Sequence, residues 1–149
     1  MEQEKKCIDL VAEKFAEQEQ EYKDARKWYE DFETATEGEQ IALRKSSEFQ
    51  GYDYEYYDDY SSWLYNQFLC FDFVAPFTFG EDQKAGYWRL QISWGGPSSE
   101  FRIYVDENIN ICAVEYWYLD WYDGAYVDVD ENSESFYICE DFIESNARY

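Results

Sequence analysis

The sequence contains no histidine, and this absence removes a large class of mechanisms. Without an imidazole, the chain can build neither a Ser-His-Asp triad nor a Cys-His pair, and every zinc site that uses histidine is excluded. Phosphate-binding motifs are missing too: Gly95-Gly96 is followed by Pro97 instead of Lys and Ser or Thr, and there is no G-x-G-x-x-G. We therefore expect no catalytic residues, no cofactor-binding residues and no cofactor.

Long apolar runs are also missing. No run approaches the roughly 18 apolar residues that span a bilayer, and the N-terminal MEQEKKCIDL lacks an apolar core of signal-peptide length. We expect a cytoplasmic protein with no membrane partner. In that reducing compartment the four widely spaced cysteines are predicted to be free thiols in the core: Cys7, Cys70, Cys112 and Cys139.

Basic residues are scarce and unevenly placed. The chain has 34 acids and 12 bases, a net charge of −22, and residues 51–149 contribute −16 of this with 20 acids and 4 bases. The stretches 46–83 and 103–147 contain no Lys or Arg, so ion pairs within them cannot neutralise their 8 and 12 acids. This charge repels nucleic acid and anionic membranes, and it attracts a basic protein at a rate that falls with salt.

Apolar and aromatic residues are present in amounts that indicate a folded chain. They make up 46% and 22% of the sequence, whereas disorder requires low hydrophobicity together with high charge. A chain of 149 residues is the size of one typical domain and can bury a sizeable core. We expect a single acidic domain over residues 1–149, as a monomer or a homodimer.

Three helices are predicted from apolar periodicity and capping residues. Apolar residues recur at spacings of three and four from Ile8 to Phe32, which is typical of a long amphipathic helix. Thr36 and Glu39 have capping-box spacing, which predicts a short helix through Leu43. Helical spacing returns over residues 55–71 and predicts a middle helix.

Alternating apolar and polar residues predict four strands, at about 87–94, 101–105, 111–122 and 125–129. Asp123-Gly124 suits a two-residue type I′ turn between the last two strands. Asn132 or Ser133 can cap a short closing helix. The predicted fold class is α+β, an antiparallel meander flanked by helices, with five aromatic residues predicted in its core: Phe68, Phe71, Trp88, Trp94 and Phe101.

A metal site is not expected, although one segment resembles the start of a calcium loop. Asp128, Asp130 and Asn132 repeat the first three ligand positions, but Ser133 stands where glycine is needed and Cys139 where a bidentate Glu belongs.

Carboxylates beside tryptophans also suit carbohydrate chemistry. In a glycosidase, one acid protonates the leaving group while another attacks or activates water, and aromatic rings stack on the sugar. Glu115, Asp120 and Asp123 lie near Trp117 and Trp121 in the sequence. A carbohydrate-active or carbohydrate-binding domain is therefore one alternative.

Two segments combine carboxylates with tyrosines and no base. Carboxylates pair with the Lys and Arg side chains that normally hold phosphates, and Tyr supplies rigid contact area against those bases. We predict partner-binding residues in both segments. In the first they are Asp53, Tyr54, Glu55, Tyr56, Asp58 and Asp59, and in the second Asp120, Tyr122, Asp123, Tyr126, Asp128, Asp130 and Glu131.

A small, strongly acidic, aromatic-rich chain without catalytic motifs resembles the counter-defence proteins of phages and plasmids, namely antirestriction DNA mimics and anti-CRISPR proteins. The stretches WGGPSSEFRIYVDE and EYWYLDWYDGA are also similar to small proteins of mobile elements. The resemblance implies a non-enzymatic inhibitor that occupies the basic nucleic-acid-binding site of a CRISPR effector or restriction enzyme and does not itself bind nucleic acid. The alternative is an immunity-type protein that binds a basic partner elsewhere.

Overall fold

The computed structural model describes residues 6–50, 59–95 and 97–147, without the side chains of residues 46–50. These residues form an α+β fold, as predicted. The helices are α1 (Cys7–Thr34), α2 (Glu37–Gln50), α3 (Tyr60–Asn66) and α4 (Glu134–Asn146). The strands are β1 (Cys70–Val74), β2 (Tyr87–Ser93), β3 (Ser98–Val105), β4 (Ile111–Asp120) and β5 (Asp123–Asp128). None of the helices in these ranges has both the length and the apolar character that a bilayer span requires.

The chain divides into two compact units. One contains residues 1–19 and 68–149, and therefore the sheet, α4 and the start of α1. The other contains residues 20–67, with the rest of α1, α2 and α3. In this second unit, Tyr29 of α1 packs edge-on against Tyr60 of α3 with ring centroids 6.4 Å apart, and the Arg44 guanidinium of α2 lies 5.5 Å from the Phe32 ring centroid of α1. Aromatic packing thus holds its helices together.

The sheet is an antiparallel meander in which strand order follows chain order, β1-β2-β3-β4-β5. The predicted meander is confirmed, but it has five strands instead of four. The additional strand contains Phe71, which we predicted in the middle helix together with Phe68. Helix α3 ends at Asn66, and Phe71 in β1 stacks on Trp88 of β2 at 5.1 Å.

Helix α1 confirms the long N-terminal helix, with one change in its buried stripe. Ile8 is 70% exposed, whereas Cys7 is buried, so the stripe runs from Cys7 to Val11 at a spacing of four. The next helix begins with the predicted capping box: the Glu39 N–H donates to Thr36 Oγ1 at 3.4 Å, and the Thr36 N–H donates to Glu39 Oε1 at 3.3 Å. Helix α2 extends past the predicted end, to Gln50.

The core of the sheet-containing unit lies on one face of the sheet. Leu90, Phe101 and Ile103 are fully buried there. Phe142 of α4 packs edge-on against Phe68, with ring centroids 5.1 Å apart, and lies tilted over Phe71 at 5.7 Å. Phe15 of α1 stacks on Tyr116 of β4 at 5.4 Å. Helices and strands therefore both contribute to this core.

Trp94 was wrongly predicted to lie in the core. It is 76% exposed, because β2 ends at Ser93 and a register shift between Gln91 and Ser93 interrupts the alternation. Two cysteines also differ from the prediction. All four thiols are free, and Cys7 and Cys139 are buried, but Cys70 and Cys112 are exposed.

The turn between β4 and β5 is not at Asp123-Gly124, as predicted. Asp120 pairs with Asp123, so Trp121 and Tyr122 form the two-residue turn. Gly124 instead pairs with Leu119 within the strands, where a Cβ would lie 2.7 Å from Leu119 Cδ2. This glycine therefore serves close side-chain packing and not the turn.

Carboxylates hold two helix starts in the sheet-containing unit. Asp123 Oδ2 accepts a 2.7 Å hydrogen bond from the Cys7 N–H at the start of α1, which lowers the pKa of Asp123. Glu19 Oε1 accepts from the Ser135 N–H at 2.8 Å and the Ser135 hydroxyl at 2.7 Å, and its Oε2 accepts from the Glu134 N–H at 3.1 Å. Free N–H groups at helix starts favour negative charge.

We expect Glu19→Ala to destabilise the fold by about 1–3 kcal/mol, because it leaves the fully buried Ser135 without its acceptor. The measurement is the free energy of unfolding from urea titration. Glu13→Ala, an exposed acid on the same helix, is the matched control and should change little. Equal unfolding free energies for the two variants would contradict the assigned role of Glu19.

Candidate functional site

Charged side chains cross all five strands on the sheet face opposite Phe71 and Phe142. Asp72, Arg89, Arg102, Glu115 and Asp128 are successive partners in the strand register. We call them the charged row. Exposure is lowest in the middle of the row and rises toward both edge strands: 17% of the Arg102 side chain is exposed, against 44% for Asp72 on β1, and Asp128 on β5 is exposed as well. Both edges of the sheet are therefore accessible ends of this row.

Both arginines of the charged row are paired with carboxylates. Arg89 Nε and Nη2 donate to the two oxygens of Asp72 at 3.0 and 2.7 Å, a bidentate pair. Arg102 Nε donates to Glu100 Oε2 at 2.9 Å, and only 5% of the Glu100 side chain is exposed. Two of the four bases in residues 51–149 are thus used inside the sheet.

An aromatic stack runs beside the charged row, formed by Tyr87, Arg102, Trp117 and Tyr126 on β2 to β5. The Arg102 guanidinium lies 4.9 Å from the Tyr87 ring centroid and 3.8 Å from that of Trp117. Trp117 stacks on Tyr126 at 4.8 Å. Tyr126 is 47% exposed, so the stack ends in an accessible ring on the edge strand.

Glu115 fixes the position of this stack. Its Oε1 accepts hydrogen bonds from the Trp117 indole N–H at 3.0 Å and from the Tyr104 hydroxyl at 2.9 Å. Burial and this bond to Glu115 raise the pKa of Tyr104, so its hydroxyl stays protonated across the physiological range. The ring of Trp117 is therefore held in one orientation between Arg102 and Tyr126.

A second accessible feature lies where the β2–β3 and β4–β5 turns meet. Ser98 pairs with Leu119, which places the two turns side by side at one end of the sheet. Trp94 and Trp121, 76% and 90% exposed, flank a cleft of about 280 Å³ between these turns. We call it the tryptophan cleft; its lining residues are Trp94, Gly95, Ser98, Leu119 and Trp121.

The first segment predicted to bind a partner, residues 53–59, falls mostly outside the described residues. Of its residues, Asp53, Tyr54, Glu55, Tyr56 and Asp58 lie outside the described residues. Asp59 is described, and its Oδ1 accepts a 2.8 Å hydrogen bond from the Ser62 N–H as the N-cap of α3. Asp59 therefore has a structural role.

The second predicted segment is brought together along β5 and its ends. Asp120, Tyr122 and Asp123 lie at the β4–β5 turn, Tyr126 and Asp128 on the edge strand, and Asp130 and Glu131 in the connection to α4.

Two members of this segment are already hydrogen-bonded within the fold. Asp123 accepts from the Cys7 N–H, and Asp130 Oδ1 accepts from the Asn132 N–H at 2.7 Å. All five acids of the segment are exposed, and the three outside this hydrogen-bonded pair are Asp120, Asp128 and Glu131. Together with the rings of Tyr122 and Tyr126, they form what we call the β5 surface.

Sequence reasoning did not predict three residues of these features as partner-binding. Trp94 was assigned to the core, and Trp117 and Trp121 were considered only for sugar stacking. The available signal for Trp94 is its position directly before Gly-Gly-Pro, since a residue at a turn is usually exposed. No comparable signal identifies the aromatic stack. Its four members lie on four different strands, and their side chains meet only because of the strand register.

The chemistry of these groups suits the recognition of cations. Exposed carboxylates accept hydrogen bonds from Arg and Lys, and tryptophan faces attract the same groups. Within the described residues, no cluster of three or more carboxylates or thiols is arranged to hold a metal ion. The site therefore offers fixed negative charge and flat aromatic surfaces.

We expect Arg102→Met to destabilise the protein by about 3–5 kcal/mol, because Glu100 keeps a nearly buried charge without its partner. Adding Glu100→Gln should recover part of this loss, as measured by urea unfolding. Lys27→Met, which breaks an exposed ion pair with Asp31, is the control and should leave the unfolding midpoint nearly unchanged. No difference between the single variants would contradict the role given to Arg102.

Trp121 has a φ of +54°, a conformation that is unfavourable for a bulky residue. We expect Trp121→Gly to be about 0.5–1 kcal/mol more stable than Trp121→Ala, because glycine adopts positive φ without steric cost. Unfolding free energies of the two variants test this. A more stable alanine variant would show that the turn imposes no such strain.

Three comparisons set the chain against known proteins. No family model matches it, and neither the curated proteins nor the solved structures contain a match. The function is therefore inferred from the charge, exposure and geometry of the residues described above.

Proposed function

We propose that this protein is a non-enzymatic inhibitor that occupies the basic nucleic-acid-binding site of a bacterial defence complex, a CRISPR effector or a restriction enzyme. The observation that carries the proposal is the β5 surface, where Asp120, Asp128 and Glu131 are exposed beside Tyr122 and Tyr126. It lies within residues 103–147, which contain no base. Such a surface presents one sign of charge to a partner.

The β5 surface is suited to replace phosphates electrostatically. Its carboxylates can accept the hydrogen bonds that Lys and Arg of a nucleic-acid channel otherwise donate to phosphate oxygens. No Lys or Arg lies between Asp120 and Glu131 in the sequence to neutralise these carboxylates.

The charge of the whole chain supports the same proposal. A net charge of −22 equals that of about 37 Å of duplex DNA, at one charge per 1.7 Å. The two arginines of the charged row are paired with Asp72 and Glu100, so they add little positive charge to the field at the β5 surface. Long-range attraction to a basic channel follows.

A second candidate is an immunity-type protein that binds a basic partner without imitating nucleic acid. The tryptophan cleft favours it, because a phosphate mimic does not need an apolar cleft. Carbohydrate chemistry has less support. Glu115 is bonded to Trp117 and Tyr104, and Asp123 to the N–H of Cys7, so two of the three acids considered for it are already engaged.

The test is competition with DNA. The protein is titrated into purified restriction enzymes and CRISPR effector complexes, and DNA binding and cleavage are measured at several salt concentrations. We expect inhibition of at least one of them, with DNA and the protein excluding each other. Inhibition with DNA still bound would favour the immunity-type function, and no inhibition in the whole panel would reject the proposal.

With an inhibited complex identified, Asp128→Lys with Glu131→Lys should weaken binding about tenfold or more and flatten its dependence on salt, because fewer ion pairs form. The matched control is Glu140→Lys with Glu144→Lys, two exposed acids of α4, which makes the same change in net charge. Equal weakening by both pairs would show that total charge, and not the β5 surface, determines binding.

A further inference from the structure

We infer that the tryptophan cleft binds the side chain of an arginine on the basic partner. The inference deepens the proposed function, on which it depends for the basic character of that partner. Trp94 and Trp121 flank the cleft and are 76% and 90% exposed, while Leu119 lines it. Two large rings with this exposure leave most of their apolar area uncovered, which marks an interaction site.

The cleft is the size of one side chain. Its volume of about 280 Å³ is below the range of about 300–1,000 Å³ that is typical of pockets for small molecules. An oligosaccharide or a nucleotide would extend beyond it, whereas a single extended side chain with a flat end is small enough to enter it. The volume therefore favours an anchoring residue from a protein over a larger ligand.

Trp121 combines an unfavourable backbone conformation with an uncovered ring. Its φ of +54° is one that glycine adopts without steric cost, and the residue is 90% exposed. The carboxylate of Asp123, directly after the turn, accepts a hydrogen bond from the Cys7 N–H and so anchors the turn to the start of α1. This contact does not involve the indole ring.

A strained and exposed residue is retained when its side chain has a role outside the fold. The Trp121 side chain lines the cleft together with Trp94 of the β2–β3 turn. A glycine would close the same turn with less strain but would remove one wall. The ring of Trp121 is therefore assigned to binding.

Charge identifies the occupant as a cation. Asp120 precedes Trp121 and is exposed, and no Lys or Arg occurs from residue 103 to 147. Tryptophan attracts cations more strongly than the other aromatic residues do. A neutral sugar or an apolar side chain would gain nothing from this field, and an anion would be repelled.

The sheet itself contains the arrangement that we infer for the partner. The guanidinium of Arg102 lies 3.8 Å from the ring centroid of Trp117, and its Nε donates to Glu100. The cleft offers a partner's guanidinium the rings of Trp94 and Trp121, and Trp121 lies in the base-free stretch 103–147. A planar guanidinium stacks on such faces, whereas a lysine ammonium acts as a compact and strongly hydrated point charge.

The experiment is a titration of the full chain with short peptides that are identical except at one central position, which is Arg, Lys, Leu or Glu. Binding is followed by tryptophan fluorescence and by NMR shifts of the indole N–H groups. We expect the Arg peptide to bind most tightly and to shift the signals of Trp94 and Trp121. Equal binding of the Leu peptide would indicate an apolar docking site, and binding of a tested oligosaccharide in its place would indicate a sugar site; either result overturns the inference.

Variants distinguish the cleft from the general acidic surface. Trp121→Gly and Trp94→Ala should each weaken binding of the Arg peptide about fivefold or more, which is the effect of losing a favourable cation–π contact. Phe79→Ala removes an exposed ring of the β1–β2 connection that belongs neither to the cleft nor to the β5 surface, and it should leave binding nearly unchanged. Equal loss in all three variants would overturn the assignment.

The outcome is independent of the defence complex. The peptide titration contains no nuclease, so its failure leaves the DNA-competition result standing. Conversely, if the Arg peptide binds selectively but no nuclease is inhibited, the cleft is supported as an arginine-binding site and the inhibitor function is rejected.

Discussion

The structure depends on where a chain with 34 acids and 12 bases finds hydrogen-bond donors for its carboxylates. Backbone N–H groups replace many of the missing counter-charges. Asp123 and Glu19 bind the starts of α1 and α4, Asp59 caps α3, and Asp106 closes the β3–β4 connection. Hydrogen bonds to the charged form lower the pKa of Asp106 and Asp123. Their stabilising contribution is therefore present above the unfolded-state pKa and is lost as the pH falls through the lowered folded-state pKa.

This arrangement divides the acids into two groups. Those bonded to backbone N–H groups or to Arg89 and Arg102 hold helices and strands together. Asp120, Asp128 and Glu131, in contrast, are exposed to solvent or a partner along β5 and its ends. Because β5 is an edge strand, its carboxylates also oppose pairing with the edge of another copy of the chain. Binding and protection from aggregation thus use the same residues.

The sequence correctly predicted the helices and strands whose apolar residues recur with a clear period. It gave wrong predictions where tertiary contacts determine the secondary structure. The stripe of α1 and the alternation of β2 to β4 predicted those elements correctly. Phe68 and Phe71 are three residues apart, which suits a helix, but pairing with β2 placed Phe71 in a strand. Asp123-Gly124 has the composition of a turn, yet the contacts of Asp123 with Cys7 and of Gly124 with Leu119 place it in β5. The acids of the β5 surface were readable from composition, whereas the cleft and the aromatic stack depend on strand register.

The β4–β5 turn also bears on the order in which the sheet forms. Because strand order follows chain order, each strand pairs with its neighbour in sequence, and topology of this kind favours rapid folding. A turn with a tryptophan at positive φ does not nucleate a hairpin in the way that Asn-Gly does. The pairing of β3 with β4, whose connection is bonded by Asp106, should therefore precede the pairing of β4 with β5. The strand that carries the exposed acids is then the last to join the sheet and the first to leave it in local unfolding.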